Sequence, residues 1–184
     1  MVADEIADDT PLWQVARQAN IARTPSALTG AATHLLLRSK DLLFVDPYFA
    51  PDTTRFRQTL SAFLTCACSG QVKRRIEYHL EARATADHFQ DECQSRLPAL
   101  IPVNAEVKFV RWRQRPNGTA FHARYILTDI GGLSFDVGLD QGSDGEETDV
   151  SILDVHLYEN RWRDYQRDTA AFEFVDEFVV RGTR

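Results

Sequence analysis

The sequence lacks the features that mark membrane-spanning and disulfide-bonded proteins. It has 3 cysteines in 184 residues, an odd number, and no fourth cysteine completes a zinc-binding Cys-x-x-Cys pair. No apolar run approaches the ~20 residues that a helix needs to cross a bilayer. The acidic N-terminus lacks the basic start and apolar core of a signal peptide. We therefore expect a cytoplasmic protein whose thiols are reduced and buried.

Several common catalytic signatures are also absent. The chain has no Walker A sequence, no Gly-x-Gly-x-x-Gly after a strand and no His-Glu-x-x-His. Its net charge is −6, whereas proteins that bind nucleic acid non-specifically are usually basic. The total charge therefore disfavours a broad nucleic-acid groove, although it does not exclude a local one. The acidic run from 136 to 149 lacks EF-hand spacing and is typical of a solvated loop.

The length suits a single domain, and 43% hydrophobic residues can fill its core. Residues 1–10 are small and acidic without periodicity, so we predict that they are disordered. Residues 11–184 then form one domain. Within it, helical spacing predicts an N-terminal helical segment over 11–39, with helices from Pro11 to Asn20 and from Ser26 to Arg38. This segment is the expected surface for a protein partner.

Residues 41–184 alternate strand and helix patterns and predict an α/β core with a mixed sheet. The pattern over Val175–Val180 fits either a continued helix or an edge strand. The predicted strands are Asp41–Tyr48, Val72–Leu80, Val107–Trp112 and Thr148–Leu153, together with a hairpin between 121 and 138. The predicted helices run from Thr53 or Thr54 to Cys68, from Thr85 or Asp87 to Leu100, and from Tyr158 to Phe174.

The hairpin carries the residues with the clearest chemical potential. Apolar and polar residues alternate from Phe121 onward, so His122 and Arg124 are expected on the same face of a strand. Asp129 follows where the strand ends, and Gly131-Gly132 is predicted to turn the chain into a second strand. A histidine can attack phosphorus or transfer a proton, and a guanidinium can hold two phosphate oxygens at once.

This His-x-Arg-x4-Asp spacing resembles the phospholipase D superfamily signature His-x-Lys-x4-Asp, with Arg124 where catalytic members carry lysine. It is most similar to the phospholipase-D-like C-terminal domain of MIT-domain proteins, which also has x-Arg after the histidine. There, a Gly-Leu-Asp like Gly138-Leu139-Asp140 follows the hairpin. The resemblance covers about Asp41 to Phe178. It implies a phospholipase-D-like mixed β-sheet sandwiched by helices.

The catalytic branch of that superfamily implies a phosphodiesterase, including a metal-independent nuclease, with neither metal nor cofactor. His122 would attack phosphorus, Arg124 would stabilise the developing negative charge and Asp129 would support the site. A second histidine must protonate the leaving group, and the chain has one motif, so the resemblance implies a homodimer. The nearest accessory residues for a bound phosphate are Arg111, Arg113, Gly138 and Asp140.

Two other interpretations stay open. The MIT-type domain is regarded as a non-catalytic relative that binds acidic lipids, so His122 and Arg124 can instead bind a lipid head group or a nucleic-acid backbone, or the domain can scaffold a complex. Alternatively, both side chains are purely structural. Arg124 counts against efficient catalysis, because a planar guanidinium is larger than the compact ammonium of lysine.

Overall fold

The computed structural model describes residues 16–70, 74–82 and 88–184, and within them a single mixed sheet of eight strands carries four α-helices. The predicted disorder of residues 1–10 and the helix starts at Thr85 and Asp87 lie outside these ranges. The strands are β1 (Gln18–Ala22), β2 (Asp41–Val45), β3 (Arg75–Glu81), β4 (Glu106–Arg113), β5 (Arg124–Thr128), β6 (Gly131–Phe135), β7 (Glu147–Ile152) and β8 (Glu173–Arg181). The helices are α1 (Pro25–Arg38), α2 (Thr54–Ala67), α3 (Phe89–Arg96) and α4 (Val155–Asp164), with a 3-10 turn at Pro98–Leu100.

The strand order is β1-β7-β6-β5-β2-β3-β4-β8. Only the pairs β2–β3 and β3–β4 are parallel, and helices α2 and α3 connect them. The continuous apolar run Leu42–Val45 fits this central place, because a strand covered on both faces is apolar throughout. Strand β5 runs antiparallel to β2, so its first residue lies at the edge where β2, β3 and β4 end.

Apolar clusters cover both faces of the sheet. The larger one, under α1 and α2, includes Phe44 and Phe63, whose rings stack with centroids 5.3 Å apart. The second cluster joins Val45 and Trp112 of the sheet to Tyr165, just after α4. The mixed α/β architecture predicted from the alternating pattern is therefore confirmed, with helices on both faces. Among the described residues, no helix is both long and apolar enough to cross a membrane.

Of the two helices predicted in the N-terminal segment, the one over Ser26–Arg38 is confirmed, and the other is wrong at its C-terminal end. Thr24 caps α1, accepting a hydrogen bond from the Ala27 amide, and the helix ends at Arg38 as predicted. Gln18–Ala22, however, forms β1 and pairs with β7. Cross-strand pairing with a distant segment outweighs the local helical spacing there. The part of that predicted helix before residue 16 lies outside the described residues.

Two further boundaries differ from the sequence prediction. The hairpin turns at Asp129-Ile130, and Gly131 and Gly132 already pair with β5 as the start of β6. The C-terminal helix ends at Asp164, and an edge strand, β8, begins at Glu173. The chain reverses after α4 because Phe172 packs on Phe121, with ring centroids 4.6 Å apart, in the second cluster.

The prediction that all three thiols are reduced and buried is confirmed in part. No disulfide joins Cys66, Cys68 and Cys93, and Cys93 is fully buried. Cys66 and Cys68 are only partly buried, because they lie in the last turn and cap of α2. Burial raises the pKa of all three thiols, so none is an activated nucleophile.

Candidate functional site

The candidate site lies where the parallel strands end and β5 begins. In open α/β sheets, ligands bind outside the carboxyl ends of the parallel strands. Strand β2 ends just before Asp46, and the adjacent strand β5 begins at Arg124, because Val45 pairs with Tyr125. The sheet topology therefore brings the hairpin motif to this edge.

His122 precedes β5 instead of lying within it, and its side chain is exposed. The preceding residue, Phe121, is buried against Phe172 and Tyr165 and fixes the backbone at this point. Within the described part of the chain, no hydrogen bond or ion pair occupies the imidazole. His122 is therefore an anchored, accessible group that can donate to or accept from a ligand.

Arg124 is held by contacts that leave most of its donors unused. Its guanidinium carbon lies 4.8 Å from the ring centroid of Tyr48, a cation–π contact. Its Nη1 donates to the carbonyl oxygen of Asp136 over 3.4 Å. Its Nε is buried and has no acceptor among the described residues. Buried arginine N–H groups without an acceptor also occur in Arg23, Arg74 and Arg161, and an ordered water or an ion can satisfy such a group.

Asp46 connects the end of β2 to the loop after β6. It is 1% exposed, its Oδ1 accepts the Tyr48 amide and its Oδ2 accepts the Leu139 amide, both over 3.0 Å. Burial raises the pKa of Asp46, and the two amides and the charge of Arg124 oppose that rise only in part. The carboxylate therefore caps the chain where β2 ends and joins it to Leu139 after β6.

Gly138 and Asp140 shape this loop more than they face a ligand. A Cβ at Gly138 would collide with Asp140 Oδ1, so a larger residue there would displace this carboxylate from its arginine partners. Asp140 is buried, with Oδ1 2.8 Å from Arg23 Nη2 and Oδ2 3.0 Å from Arg55 Nε. Sequence reasoning placed a carboxylate beside the phosphate but missed both arginines. With both its oxygens paired, Asp140 holds β1 and α2 to the loop.

The structure does not bring Arg111 and Arg113 to His122. Both project from β4 toward the other edge of the sheet, where β8 supplies carboxylates. Arg111 pairs with Asp176 and also lies over a phenylalanine ring, and Arg113 Nη1 is 3.6 Å from Glu173 Oε1. The expectation that they assist at the same phosphate is therefore wrong in its geometry. Neither lines the groove that contains His122 and Arg124.

Asp129 lies at the opposite end of β5 from Arg124. Asp129 is five residue steps from Arg124 along an extended strand, which corresponds to about 17 Å. Asp129 Oδ1 accepts the backbone amides of Lys40 and Asp41, at 2.8 and 3.1 Å. Its support for the motif is therefore structural, because it fixes the start of β2 against the hairpin turn.

His122 and Arg124 lie along an open groove of about 510 Å³ on one face of β1, β7, β6 and β5. Strand alternation and register put Tyr125, Ser134, Asp136 and Asp149 on this face, whereas the side chain of Arg124, which pairs with Phe135, projects to the opposite face and borders the groove where β5 begins. Sequence patterns did not point to the groove residues of the other three strands, because their polar side chains resemble ordinary exposed positions. The groove is lined by Gln18, His122, Ala123, Arg124, Tyr125, Ser134, Phe135, Asp136, Asp149 and Ser151.

A second histidine near this edge of the sheet is fully engaged. His79 in β3 is 1% exposed, and its Nδ1 accepts the Trp112 indole N–H over 2.9 Å. That bond leaves the proton on Nε2, which lies 3.1 Å from Glu77 Oε2. Burial lowers the pKa of His79 and keeps the ring neutral. His79 therefore cannot be the second catalytic histidine. No group of side chains in the described residues has the arrangement of a metal site.

No protein-family model matches the chain, and no curated protein matches it either. Among solved structures, it is similar to TrmBL2, an archaeal chromatin protein that shows a novel mode of DNA binding. The two chains share 14% identity with a TM-score of 0.42. The alignment covers 94% of this chain and 59% of TrmBL2, so this chain spans less than two thirds of that protein.

Proposed function

We propose that this chain is a non-catalytic, phospholipase-D-like module that binds a phosphate-bearing ligand through Arg124 and His122. The observation that carries the proposal is the unused donor capacity of Arg124. The Asp46 carboxylate, which interacts electrostatically with Arg124, is bonded to backbone amides instead of pairing with the guanidinium. By contrast, Arg111 and Arg113 are paired with carboxylates of β8.

A phosphate fits this arrangement chemically. A guanidinium binds phosphate oxygens through parallel charge-assisted hydrogen bonds. The Tyr48 ring beneath Arg124 restricts the plane of the guanidinium, which lowers the entropy lost on binding. His122 at the same groove offers a further donor. His79, the histidine in β3 near this edge of the sheet, is not available to protonate a leaving group, since it is buried and bonded at both nitrogens.

Calorimetric titration with methyl phosphate tests the proposal. We expect Arg124→Gln to weaken binding at least tenfold, because a charge-assisted hydrogen bond contributes about 1.5–3 kcal/mol. Arg124→Lys should recover only part of the affinity, since an ammonium cannot bind bidentately. The matched control is Arg113→Gln, which removes an arginine outside the groove. Unchanged affinity in Arg124→Gln would contradict the proposal.

The exposure of His122 favours one second candidate, a metal-independent phosphodiesterase or nuclease that works as a homodimer. The His122 imidazole would attack phosphorus and expel an alkoxide, which the partner's His122 would protonate. Water would then hydrolyse the phosphohistidine. This requires two exposed histidines to meet across a twofold axis.

Cleavage assays separate the two candidates. The substrates are single- and double-stranded DNA, RNA and bis(p-nitrophenyl) phosphate, with EDTA present, beside His122→Ala. Cleavage that disappears in His122→Ala would establish the enzyme. Absence of cleavage at a concentration where the protein is dimeric, together with Arg124-dependent phosphate binding, would leave the binding module.

A further inference from the structure

Strand β1 forms one edge of the sheet, and no other strand of the described chain lies along its outer side. Its pairing with β7 uses odd-numbered residues. The Arg17 carbonyl oxygen accepts the Ile152 amide, and the Arg23 amide donates to the Glu146 carbonyl oxygen, both over 2.8 Å. Backbone groups of an antiparallel strand point to alternate sides from one residue to the next. The even-numbered residues of β1 therefore direct their N–H and C=O groups away from the sheet.

These outward groups form a short ladder without partners. The backbone N–H and C=O groups of Gln18 and Asn20 bond to no described residue. Ala22 presents its N–H, whereas its carbonyl oxygen accepts the Thr24 amide over 2.8 Å. The side chains of β1 are also largely exposed. An edge of this kind is a template for pairing with another strand.

The opposite edge of the sheet, β8, is protected against such pairing. It carries three acidic residues, and a bulge interrupts its pairing with β4. The Gln94 side chain of α3 also donates to the Val179 carbonyl oxygen over 2.9 Å. Charges, bulges and covering groups are the means by which proteins block an exposed edge. Strand β1 has no charged residue and no proline, and its pairing with β7 is regular, so it has none of this protection.

The outward groups of β1 are complementary to those of a second β1. In an antiparallel pair centred on Asn20, each Asn20 faces its own copy and Gln18 faces Ala22. All three are outward-pointing residues, so opposed residues can exchange backbone hydrogen bonds. The two Asn20 residues would bond to each other, and each Ala22 amide would donate to the Gln18 carbonyl oxygen of the other copy.

The side chains also allow this pairing, because no like charges meet. The central row would run from Asp149 through both copies of Asn20 to the other Asp149. The two carboxylates would be three strand spacings apart, about 14 Å, which exceeds the screening length of about 8 Å at physiological ionic strength. Each Asp149 also accepts its own Asn20 amide over 2.9 Å. On the other face, Ala19 would lie beside Ile21, which packs on the larger apolar cluster.

We propose that β1 pairs with β1 of a second copy of this chain about a twofold axis at Asn20, which joins the two eight-stranded sheets into one. The strand is short and the contact small, so the association is weak and depends on concentration. The two β5 strands would be seven strand spacings apart, about 34 Å. The two His122 side chains do not meet in this dimer, which therefore differs from the one that a paired-histidine phosphodiesterase requires.

Sedimentation velocity and amide hydrogen exchange on the full chain test the pairing. We expect dimers to appear over roughly 10 µM to 1 mM, as a small interface predicts. The Asn20 and Ala22 amides should become at least tenfold more protected at the higher concentration, whereas the Asp144 amide, in an exposed loop, should not change. Monomer throughout this range, or a dimer that leaves both β1 amides unprotected, overturns the inference.

Two variants at Asn20 assign the dimer to β1. Asn20→Lys places like charges directly opposite each other at the twofold axis and should weaken dimerisation at least tenfold. The matched control Gln18→Lys adds the same charge to the same strand, where it would face Ala22, and should still dimerise. Asn20→Pro removes the outward N–H, which β7 does not use, and should act like Asn20→Lys, whereas Asn20→Ala should dimerise. Circular dichroism checks that each variant is folded, and a dimer that survives Asn20→Lys overturns the inference.

Discussion

At the scale of single residues, the site depends on how a buried carboxylate is satisfied. Asp46 could have paired with Arg124, which would have left a neutral edge with no affinity for anions. Instead, two backbone amides, those of Tyr48 and Leu139, bind its oxygens. Hydrogen bonds from amides stabilise a carboxylate without consuming a cation. Arg124 therefore stays available although an acid lies close to it.

We predict that Asp46→Asn lowers the free energy of unfolding by about 1–3 kcal/mol, because one buried backbone amide would then face an amide NH₂ group in place of an acceptor. Urea denaturation monitored by circular dichroism measures this. Asp52→Asn, at an exposed aspartate of the same segment, is the control and should change stability little. Equal stability of the two variants would show that the amides find other acceptors.

At the scale of elements, the two ends of β5 have different roles. Its first residue, Arg124, faces the candidate site, whereas Asp129 after its last residue binds the amides at the start of β2. The spacing His-x-Arg-x4-Asp groups these residues in sequence, but an extended strand holds them apart. Motif proximity therefore does not imply a shared site.

We predict that Asp129→Ala lowers the free energy of unfolding by about 1 kcal/mol, since two amides at the rim lose an acceptor and regain water. It should leave the affinity for methyl phosphate unchanged, because the site is at the other end of the strand. Thermal melts and calorimetry on the same sample test both parts. Asp144→Ala, in the exposed loop before β7, is the control for a lost acidic side chain. Reduced phosphate affinity with normal stability would instead place Asp129 in the site.

At the scale of the whole molecule, two titratable side chains lie on the face of the sheet that carries the second apolar cluster, and burial and pairing shift their pKa values. His79 and Glu77 project into this side of the sheet, near Tyr165 and Trp112. Burial alone would raise the pKa of Glu77, but the hydrogen bond from His79 and the charges of Arg75 and Lys108 outweigh it and lower that pKa. For His79, burial is the largest cause and lowers the pKa below 6.5.

We predict that stability falls as the pH drops below about 6.5. The unfolded state binds a proton on His79 near its ordinary pKa of 6.5, whereas the folded state resists protonation until a lower pH. Below pH 6.5, the free energy of unfolding should fall with a slope that approaches about 1.4 kcal/mol per pH unit. Above pH 6.5, His79 should contribute no pH dependence. Urea titrations at pH 7.5, 6.5 and 5.5 measure the effect.

The comparison for this pH effect is His79→Gln, whose amide can accept from Trp112 and donate to Glu77 without titrating. Its stability should be lower overall but vary less between pH 6.5 and 5.5. A slope identical to that of the natural sequence would assign the pH dependence to groups other than His79.

The features that could be predicted from the sequence are those that local hydrophobic periodicity indicates. The apolar run of β2, the spacing of α2 and the alternation of the hairpin each reflect contacts that recur every two or three to four residues. These patterns gave the α/β class and the position of the hairpin. They also identified Arg124 and His122, whose joint place at one groove the structure supports, whereas their binding role stays a prediction.

The features that local patterns did not predict depend on pairings between distant segments of the chain. Gln18–Ala22 is a strand because β7 lies beside it, and Glu173–Arg181 is an edge strand because β4 does. The partner of Asp140, Arg23, is 117 residues away. No periodicity records such a distance in sequence.

Local alternation was therefore sufficient to predict the α/β class, the hairpin and the pair His122 and Arg124 on it, because a strand's alternation is a local property. The neighbours of those side chains follow from the tertiary fold. Sheet order placed Asp46 and Tyr48 beside Arg124, paired Asp140 with two arginines and moved Asp129 to the far end of β5. Charges act through space, so the chemistry of the groove is set by strand register and not by spacing along the chain.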